Sequence, residues 1–226
     1  MRTEVFDNPI QPIRLAHFVK LPPLPREFLP MASHTLSPSL TLQAEIAGFM
    51  DEKLPPLGPG TPHRHLEQRL SKVTPKTLFK DKVIDPDSAA CCLAGIWLWN
   101  GFLDHSHELS QSIDTPEASW WHAIMHRREP DAMNAKYWFR KVGDHPLLST
   151  LGERVCLYAS KADLPTGAQW LSRCQHWNPS QFIDACETVR CGSNESLRLT
   201  LSEVAAIEWY TLFEYCQHLT HGTEQK

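Results

Sequence analysis

Six dipeptides that place a helix-capping residue directly before proline constrain the fold of this chain more than any other feature. They are Ser37-Pro38, Thr61-Pro62, Thr74-Pro75, Asp85-Pro86, Thr115-Pro116 and Asn178-Pro179. A capping side chain accepts a hydrogen bond from a free backbone N–H at a helix start, and proline suits the first turn because its own nitrogen would be unpaired there. Six such pairs predict six helix starts, and alternating strand patterns are scarce. We therefore predict a mainly α fold, a single helical-bundle-like domain of about six helices.

The distribution of proline predicts an extended N-terminal arm in front of this domain. Thirteen of the 18 prolines precede position 87, and residues 1–36 combine prolines with scattered apolar side chains that would anchor an arm on the body. A chain of 226 residues is the right length for one domain. We predict a proline-rich arm with one helix over 1–60, packed on the body, a helical domain over 61–222 and a short tail over 223–226.

Apolar periodicity and breaker residues predict the helices of the body. The expected segments are a helix from Pro62, a long helix from about Pro86 to Ser112, and helices over Pro116–Arg128, Pro130–Val142, about 146–160, Pro179–Arg190 and about Glu195–Leu219. The stretch from Leu164 to Trp177 is expected to be a loop with at most one helical turn.

Composition limits the compartment and the partners. The seven cysteines contain no CxxC pair, and we find neither an apolar signal segment nor a run of eighteen apolar residues. We therefore expect reduced thiols, a cytoplasmic location and no membrane partner. The net charge of −4 argues against a nucleic-acid partner. The sequence leaves the oligomeric state open.

Histidines and aromatic side chains concentrate between residues 100 and 145. On the predicted long helix, one face carries the polar residues Asn100, Asp104, His107 and Gln111. The same face is apolar one to two turns earlier. This change is typical either of a polar pocket at the end of a core or of a helix end that emerges into water.

His122 and His126 stand four residues apart on the next predicted helix. This spacing places both imidazoles on one face, as two ligands of a single metal ion require. The segment reads HAIMH and lacks the glutamate of an HExxH helix, and two histidines at this spacing also occur by chance in a histidine-rich chain. The candidate metal ligands are His122, His126, His107 and Asp104, a set that suits Zn, Fe or Mn. The alternative to metal binding is acid–base catalysis, for which the candidate catalytic residues are His107, His122, His126 and Glu129.

The adjacent Arg127 and Arg128 are candidates for binding an anion, because the guanidinium fork matches a carboxylate or a phosphate. The alternative is a pair of surface arginines that form salt bridges with nearby acids. Further candidates for binding a substrate are Asn134, Lys136, Tyr137, Gln111 and Trp121.

The segment WWHAIMHRREPDAMNAKYWFRKVGDHP over residues 120–146 resembles the motif of an uncharacterised bacterial and fungal protein family. Two flanking segments are also similar to that family, FLDHSHELSQ at residues 102–111 and EWYTLFEYC at residues 208–216. The resemblance implies no known activity. It places the following polar residues on motif positions: Asp104, His107, Gln111, His122, His126, Arg127, Arg128, Glu129, Asp131, Asn134, Lys136 and Tyr137. His105 falls on a variable position.

Three functions are compatible with these observations. The first is an enzyme that acts on a small anionic molecule at a pocket of histidine, arginine and glutamate, with or without a divalent metal. The second is a non-catalytic module that binds or senses a small molecule or a haem-type cofactor. The third is a structural or interaction protein whose polar residues form a buried network between helices.

Overall fold

The computed structural model describes residues 46, 48–50, 54–80 and 83–221. This part of the chain is mainly helical and contains no strand, which confirms the mainly α prediction. The predicted arm and its apolar anchors over residues 1–36, most of the helix expected after Pro38, and the tail over 223–226 lie outside the described residues.

The described residues form nine α-helices and one 3-10 helix. In chain order they are α1 Arg64–Leu70, α2 Pro75–Leu78, α3 Pro86–Trp99, α4 Leu103–Gln111, α5 Pro116–Arg128, α6 Ala132–Val142, α7 Leu147–Ala159, the 3-10 helix Gln169–Arg173, α8 Pro179–Cys191 and α9 Glu195–His221.

Four of the predicted cap–proline pairs begin a helix. The side chains of Thr74, Asp85, Thr115 and Asn178 each accept hydrogen bonds from backbone N–H groups in the first turn, with proline at the start. The pair at Thr61 does not, since α1 begins only at Arg64 and has no side-chain cap. The helix predicted from Pro130 also begins later. Asp131 caps it by accepting the N–H of Asn134 at 3.0 Å.

The single long helix predicted from Pro86 to Ser112 is wrong. The chain turns between α3 and α4 at Gly101, whose φ of 79° is unfavourable for any residue with a side chain. The turn is also crowded, because a Cβ on Gly101 would lie 3.1 Å from the Cα of Pro62. Asn100 stabilises the break by donating from Nδ2 to the carbonyls of Ile96 and Phe49, at 2.8 and 3.0 Å. The polar face of α4 is therefore not a continuation of the apolar face of α3.

The core lies around α9, which is buried along residues 201–213 and packs against α3. The Trp209 indole donates from Nε1 to the Gly95 carbonyl at 2.9 Å, and the Trp121 ring fills the space that a Cβ on Gly95 would need. Helix α5 is almost completely buried and packs against α4 and α6. Each of its faces therefore meets protein, and any polar residue on it must find a partner inside.

Among the described helices, none combines the length and the apolar character needed to cross a membrane. The cytoplasmic location, the partners and the domain boundaries stay predictions.

Candidate metal centre

The structure brings His107, His122 and His126 together between α4 and α5. One ligand nitrogen from each ring lies within 4.8 Å of the others, in an arrangement that can hold a metal ion. The His107 ring centroid lies 4.6 Å from that of His122 and 5.6 Å from that of His126. A short connection joins α4 to α5 and brings the three histidines close together. Thr115 ends this connection and caps the start of α5 by accepting the Ala118 N–H at 3.2 Å.

The two histidines of α5 face each other through the same ring atom, with their Nε2 atoms 3.0 Å apart. Their Nδ1 atoms point to different partners. Nδ1 of His126 lies 3.1 Å from a carboxylate oxygen of Glu129, and Nδ1 of His122 lies 3.4 Å from Oγ of Ser110. A carboxylate only accepts, so His126 carries its proton on Nδ1.

The hydrogen bonds around Ser110 assign the same tautomer, with the proton on Nδ1, to His122. The hydroxyl of Ser110 donates its only proton to the Ser106 carbonyl at 2.7 Å, so its oxygen accepts from Nδ1 of His122. Both Nε2 atoms are then bare lone pairs that face each other at 3.0 Å. Two acceptors at this distance repel unless a cation lies between or beside them.

A proton is disfavoured as that cation. Burial, followed by the charges of His126, His107 and Lys141, lowers the pKa of His122 to about 3. Burial also lowers the pKa of His126, although the Glu129 carboxylate opposes the shift. Both rings are therefore expected to be neutral near pH 7, which is the form that binds metal ions.

The distance between the ligand nitrogens of His122 and His126 fits a divalent metal ion, and the His107 ligand nitrogen lies within 4.8 Å of both. Two imidazole nitrogens bound to one tetrahedral ion at about 2.0–2.1 Å are about 3.3 Å apart, close to the 3.0 Å between the two Nε2 atoms. A carboxylate on the distal nitrogen, as Glu129 provides to His126, is the usual way in which proteins orient a metal-binding histidine. Three protein ligands would leave a fourth position open.

Aromatic and cationic side chains of α6 border the cluster. The Trp138 ring stacks on His122 with centroids 3.9 Å apart and an interplanar angle of 26°. The Lys141 ammonium lies 4.4 Å from the centroid of the same indole. Tyr137 packs edge-on against Trp138 and remains 45% exposed. The α6 side of the cluster thus carries the Lys141 cation, whereas Glu129 places a carboxylate beside His126.

Comparisons of the chain with protein-family models, with curated proteins and with solved structures found no match. The resemblance to an uncharacterised family therefore stays a prediction, and the site is interpreted from its own geometry.

Two predicted residues of α4 are not part of the cluster. Asp104 and Gln111 are exposed, and Asp104 does not belong to the group of ligand atoms around the histidines. The prediction placed Asp104 and His107 on one face of a longer helix. In the shorter α4 only His107 turns its ring toward α5.

Arg127 and Arg128 point away from the histidines. Arg127 is buried with Nη2 2.6 Å from an oxygen of Glu208. Arg128 donates to the carbonyl oxygens of Gly58, Pro59 and Leu98. Burial, followed by the charge of Arg127, lowers the pKa of Arg128 to about 9. Neither is a surface arginine, and neither contacts the cluster.

The other predicted substrate-binding residues are dispersed. Asn134 donates to Asp131 in the cap of α6, and Lys136 pairs with Asp184 of α8. Trp121 is fully buried and packs on Trp209 in the core. Of this group only Tyr137 lies near the cluster, through its contact with Trp138.

Three residues that contact or surround the cluster were missing from the predicted site: Ser110, Trp138 and Lys141. Trp138 and Lys141 are three residues apart on α6 and thus share a face, which the sequence does show. That this face meets α5 at His122 follows only from the packing of the two helices.

Proposed function

We propose that the chain binds a divalent metal ion at His107, His122 and His126 and that it is an enzyme acting on a small anionic molecule. One observation carries the metal assignment. Two buried Nε2 lone pairs face each other at 3.0 Å, while both Nδ1 atoms are directed to other partners. Zn, Fe and Mn all accept imidazole ligands.

Three histidine ligands would leave one coordination position open, which favours catalysis over a purely structural ion. Structural zinc sites are closed by four protein ligands, whereas catalytic sites use three and leave room for water or substrate. His107 is only partly buried, so the cluster has a side that solvent can reach. A bound metal would supply an activated water or polarise a substrate oxygen. Glu129 would hold the ring of His126 in place.

The cations on the α6 side of the cluster favour an anionic substrate. Lys141 lies over Trp138, and Arg140 lies over the Tyr137 ring at 5.8 Å from its centroid. These two cations take the substrate-binding role that the sequence assigned to Arg127 and Arg128. The charge of Lys141 also acts on His122, so it would attract a carboxylate or phosphate bound beside the cluster.

A buried polar network between helices is the second candidate function. It is favoured by the burial of His122 and His126, which are 1% and 8% exposed. In this case His122 would take the other tautomer, donating from Nε2 to Nε2 of His126 and accepting from the Ser110 hydroxyl, which would hold α4 on α5 without any metal. The two candidates differ in what added metal does to the protein.

Metal binding is tested with untagged protein that has been stripped with a chelator. We expect isothermal titration with Zn²⁺, Mn²⁺ and Fe²⁺ to show one site per chain for at least one ion. The site should be lost in His126→Ala and retained in His65→Ala, a matched change of an exposed histidine in α1. Equal binding by both variants, or no binding by the wild type, would eliminate the metal assignment.

Catalysis is tested separately with the metal-loaded protein. We expect hydrolysis of p-nitrophenyl phosphate or p-nitrophenyl acetate that stops in His126→Ala, with a raised KM for the phosphate in Lys141→Ala. Metal binding without turnover of either ester would favour the non-catalytic binding module instead. A Soret band on addition of haem would assign that module to a haem-type cofactor.

A further inference from the structure

Two exposed apolar side chains of α6 lie next to each other on the helix that borders the histidine cluster. In the part of the chain that the structure describes, four large apolar side chains are exposed: Ile84, Met133, Tyr137 and Leu157. Met133 and Tyr137 are 79% and 45% exposed and stand four residues apart, so they share one face of α6. Single exposed apolar residues are common, whereas an adjacent pair beside a candidate site indicates a contact surface.

Two cations flank the Tyr137 ring on this face. The guanidinium of Arg140 lies 5.8 Å from the ring centroid, and the ammonium of Lys141 lies 5.6 Å from it. Lys141 also lies 4.4 Å from the centroid of the Trp138 indole. The exposed apolar pair is thus combined with two positive charges over a short stretch of one helix.

These two cations are not neutralised by the acids around them. Among the described residues, no carboxylate forms an ion pair with Arg140 or Lys141. The carboxylate of Glu129 pairs with a histidine of the cluster, and that of Asp184 pairs with Lys136. Arg140 and Lys141 can therefore hold an anion that comes from outside the chain.

The exposed face is connected to the candidate metal centre through one ring. Tyr137 packs edge-on against Trp138 with centroids 5.6 Å apart, and Trp138 stacks on His122 with centroids 3.9 Å apart. A molecule that lay on Tyr137 would be separated from a proposed metal ligand by the Trp138 indole alone. The face and the cluster are therefore close enough to serve one substrate.

We propose that Met133, Tyr137, Arg140 and Lys141 select a small aromatic anion, a planar ring that carries a phosphate or a carboxylate, as the substrate. The ring would pack on Tyr137 and Met133, because aromatic faces and methionine sulfur both make favourable contacts with aromatic rings. The anionic group would be held by Lys141 and Arg140. This inference rests on the proposed function, since it names the substrate class of the same site.

The test is an NMR titration of the isotope-labelled full chain with two pairs of anions. Phenylphosphonate is compared with methylphosphonate, and benzoate with acetate; none of them is an ester, so binding is measured apart from turnover. We expect the aromatic member of at least one pair to bind about 10-fold more tightly than its aliphatic counterpart, with shifted amide signals on α6. The pair that shows the preference identifies the anionic group. Equal affinities within both pairs would overturn the proposal.

Substitutions on α6 separate the contact with the ring from the contact with the charge. Tyr137→Ala should abolish the preference for the ring, and Tyr137→Phe should keep it. The matched control is Leu157→Ala, which removes an exposed apolar side chain from α7 and should also keep it. Lys141→Ala should weaken the aromatic and the aliphatic anion by similar factors. A full preference for the ring in Tyr137→Ala would contradict the assignment.

The titrations are made with both the chelated and the metal-loaded protein, which separates this inference from the proposed function. The contacts with the ring come from α6 and need no metal, so the preference should be present in both forms. Metal binding and ester hydrolysis without a preference for the ring would overturn this inference alone. A preference for the ring in a protein that binds no metal would overturn the metal assignment alone.

Discussion

The two faces of α5 bury polar side chains in opposite ways. On one face, Arg127 meets Glu208 at 2.6 Å, and positive charge is matched by a carboxylate. On the other face, the Nε2 atoms of His122 and His126 lie 3.0 Å apart, so that two acceptor lone pairs face each other. The first arrangement is nearly complete without a ligand, whereas the second is favourable only when a cation joins it. Burial of polar groups in one helix thus indicates structure on one side and a binding site on the other.

The largest effect is expected on the face of the paired charges. Glu208→Gln removes the carboxylate but keeps the shape, which leaves Arg127 charged and unpaired in the core. Loss of one partner of a buried pair costs about 3–5 kcal/mol of unfolding free energy, measured by urea denaturation. The double variant Arg127→Met with Glu208→Gln should recover part of this loss. A loss of unfolding free energy below about 1 kcal/mol in Glu208→Gln would show that Glu208 is not the main partner of Arg127.

On the histidine face, the unfolding free energy should depend on added metal more than on truncation of a histidine side chain. For the wild type, a metal at 100 times its Kd raises the unfolding free energy by about 2.7 kcal/mol, and His126→Ala should lose this gain. Without metal, His126→Ala should cost less than about 1 kcal/mol, because it also removes the repulsion between two lone pairs. A metal-independent cost of 3 kcal/mol or more would instead support the buried network. Urea denaturation with and without EDTA measures both quantities.

The pH dependence of the unfolding free energy of the metal-free protein should also distinguish the two faces of α5. Below pH 6.5 the unfolded chain protonates His122, while the folded protein does not until its pKa of about 3 is approached. The folded state therefore loses stability as the pH falls, by about 2 kcal/mol between pH 6.5 and 4.5.

The control is His122→Asn, which should reduce this slope. It leaves the contributions of His126 and His218, whose pKa values are also lowered by burial. Glu117 contributes only at lower pH. Burial opposes ionisation of this carboxyl, but its bond to His145 prevails and lowers the pKa, so its stabilising effect is lost only below about pH 4.5. Equal slopes for wild type and His122→Asn between pH 6.5 and 4.5 would contradict the assignment.

The smallest effect is expected for Lys136, which belongs to neither face. Its pairing with Asp184 is partly exposed, and such pairs contribute about 0–1 kcal/mol. Lys136→Ala should leave metal affinity and ester hydrolysis unchanged, whereas Lys141→Ala should raise the KM for the phosphate ester. If Lys136→Ala weakens turnover as much as Lys141→Ala does, the substrate reaches further along α6 than the structure indicates.

Local signals in the sequence predicted much of the fold. Capping residues followed by proline placed the starts of α2, α3, α5 and α8, because a cap and its proline act within one turn. The cap–proline rule failed at Thr61, because α1 begins only at Arg64. Apolar periodicity missed the break at Gly101, where a side chain would meet Pro62, a residue distant in sequence.

The sequence by itself also determined that His122 and His126 share a face, since four residues are close to one helical turn. It could not determine that His107 joins them, because that depends on how α4 folds back after Gly101. Nor could it separate the histidines from Arg127 and Arg128, which follow them directly in the chain. Only the tertiary structure decided that Glu208 and three carbonyls meet the arginines, because those partners come from α9, from the end of α3 and from the segment at residues 58–59.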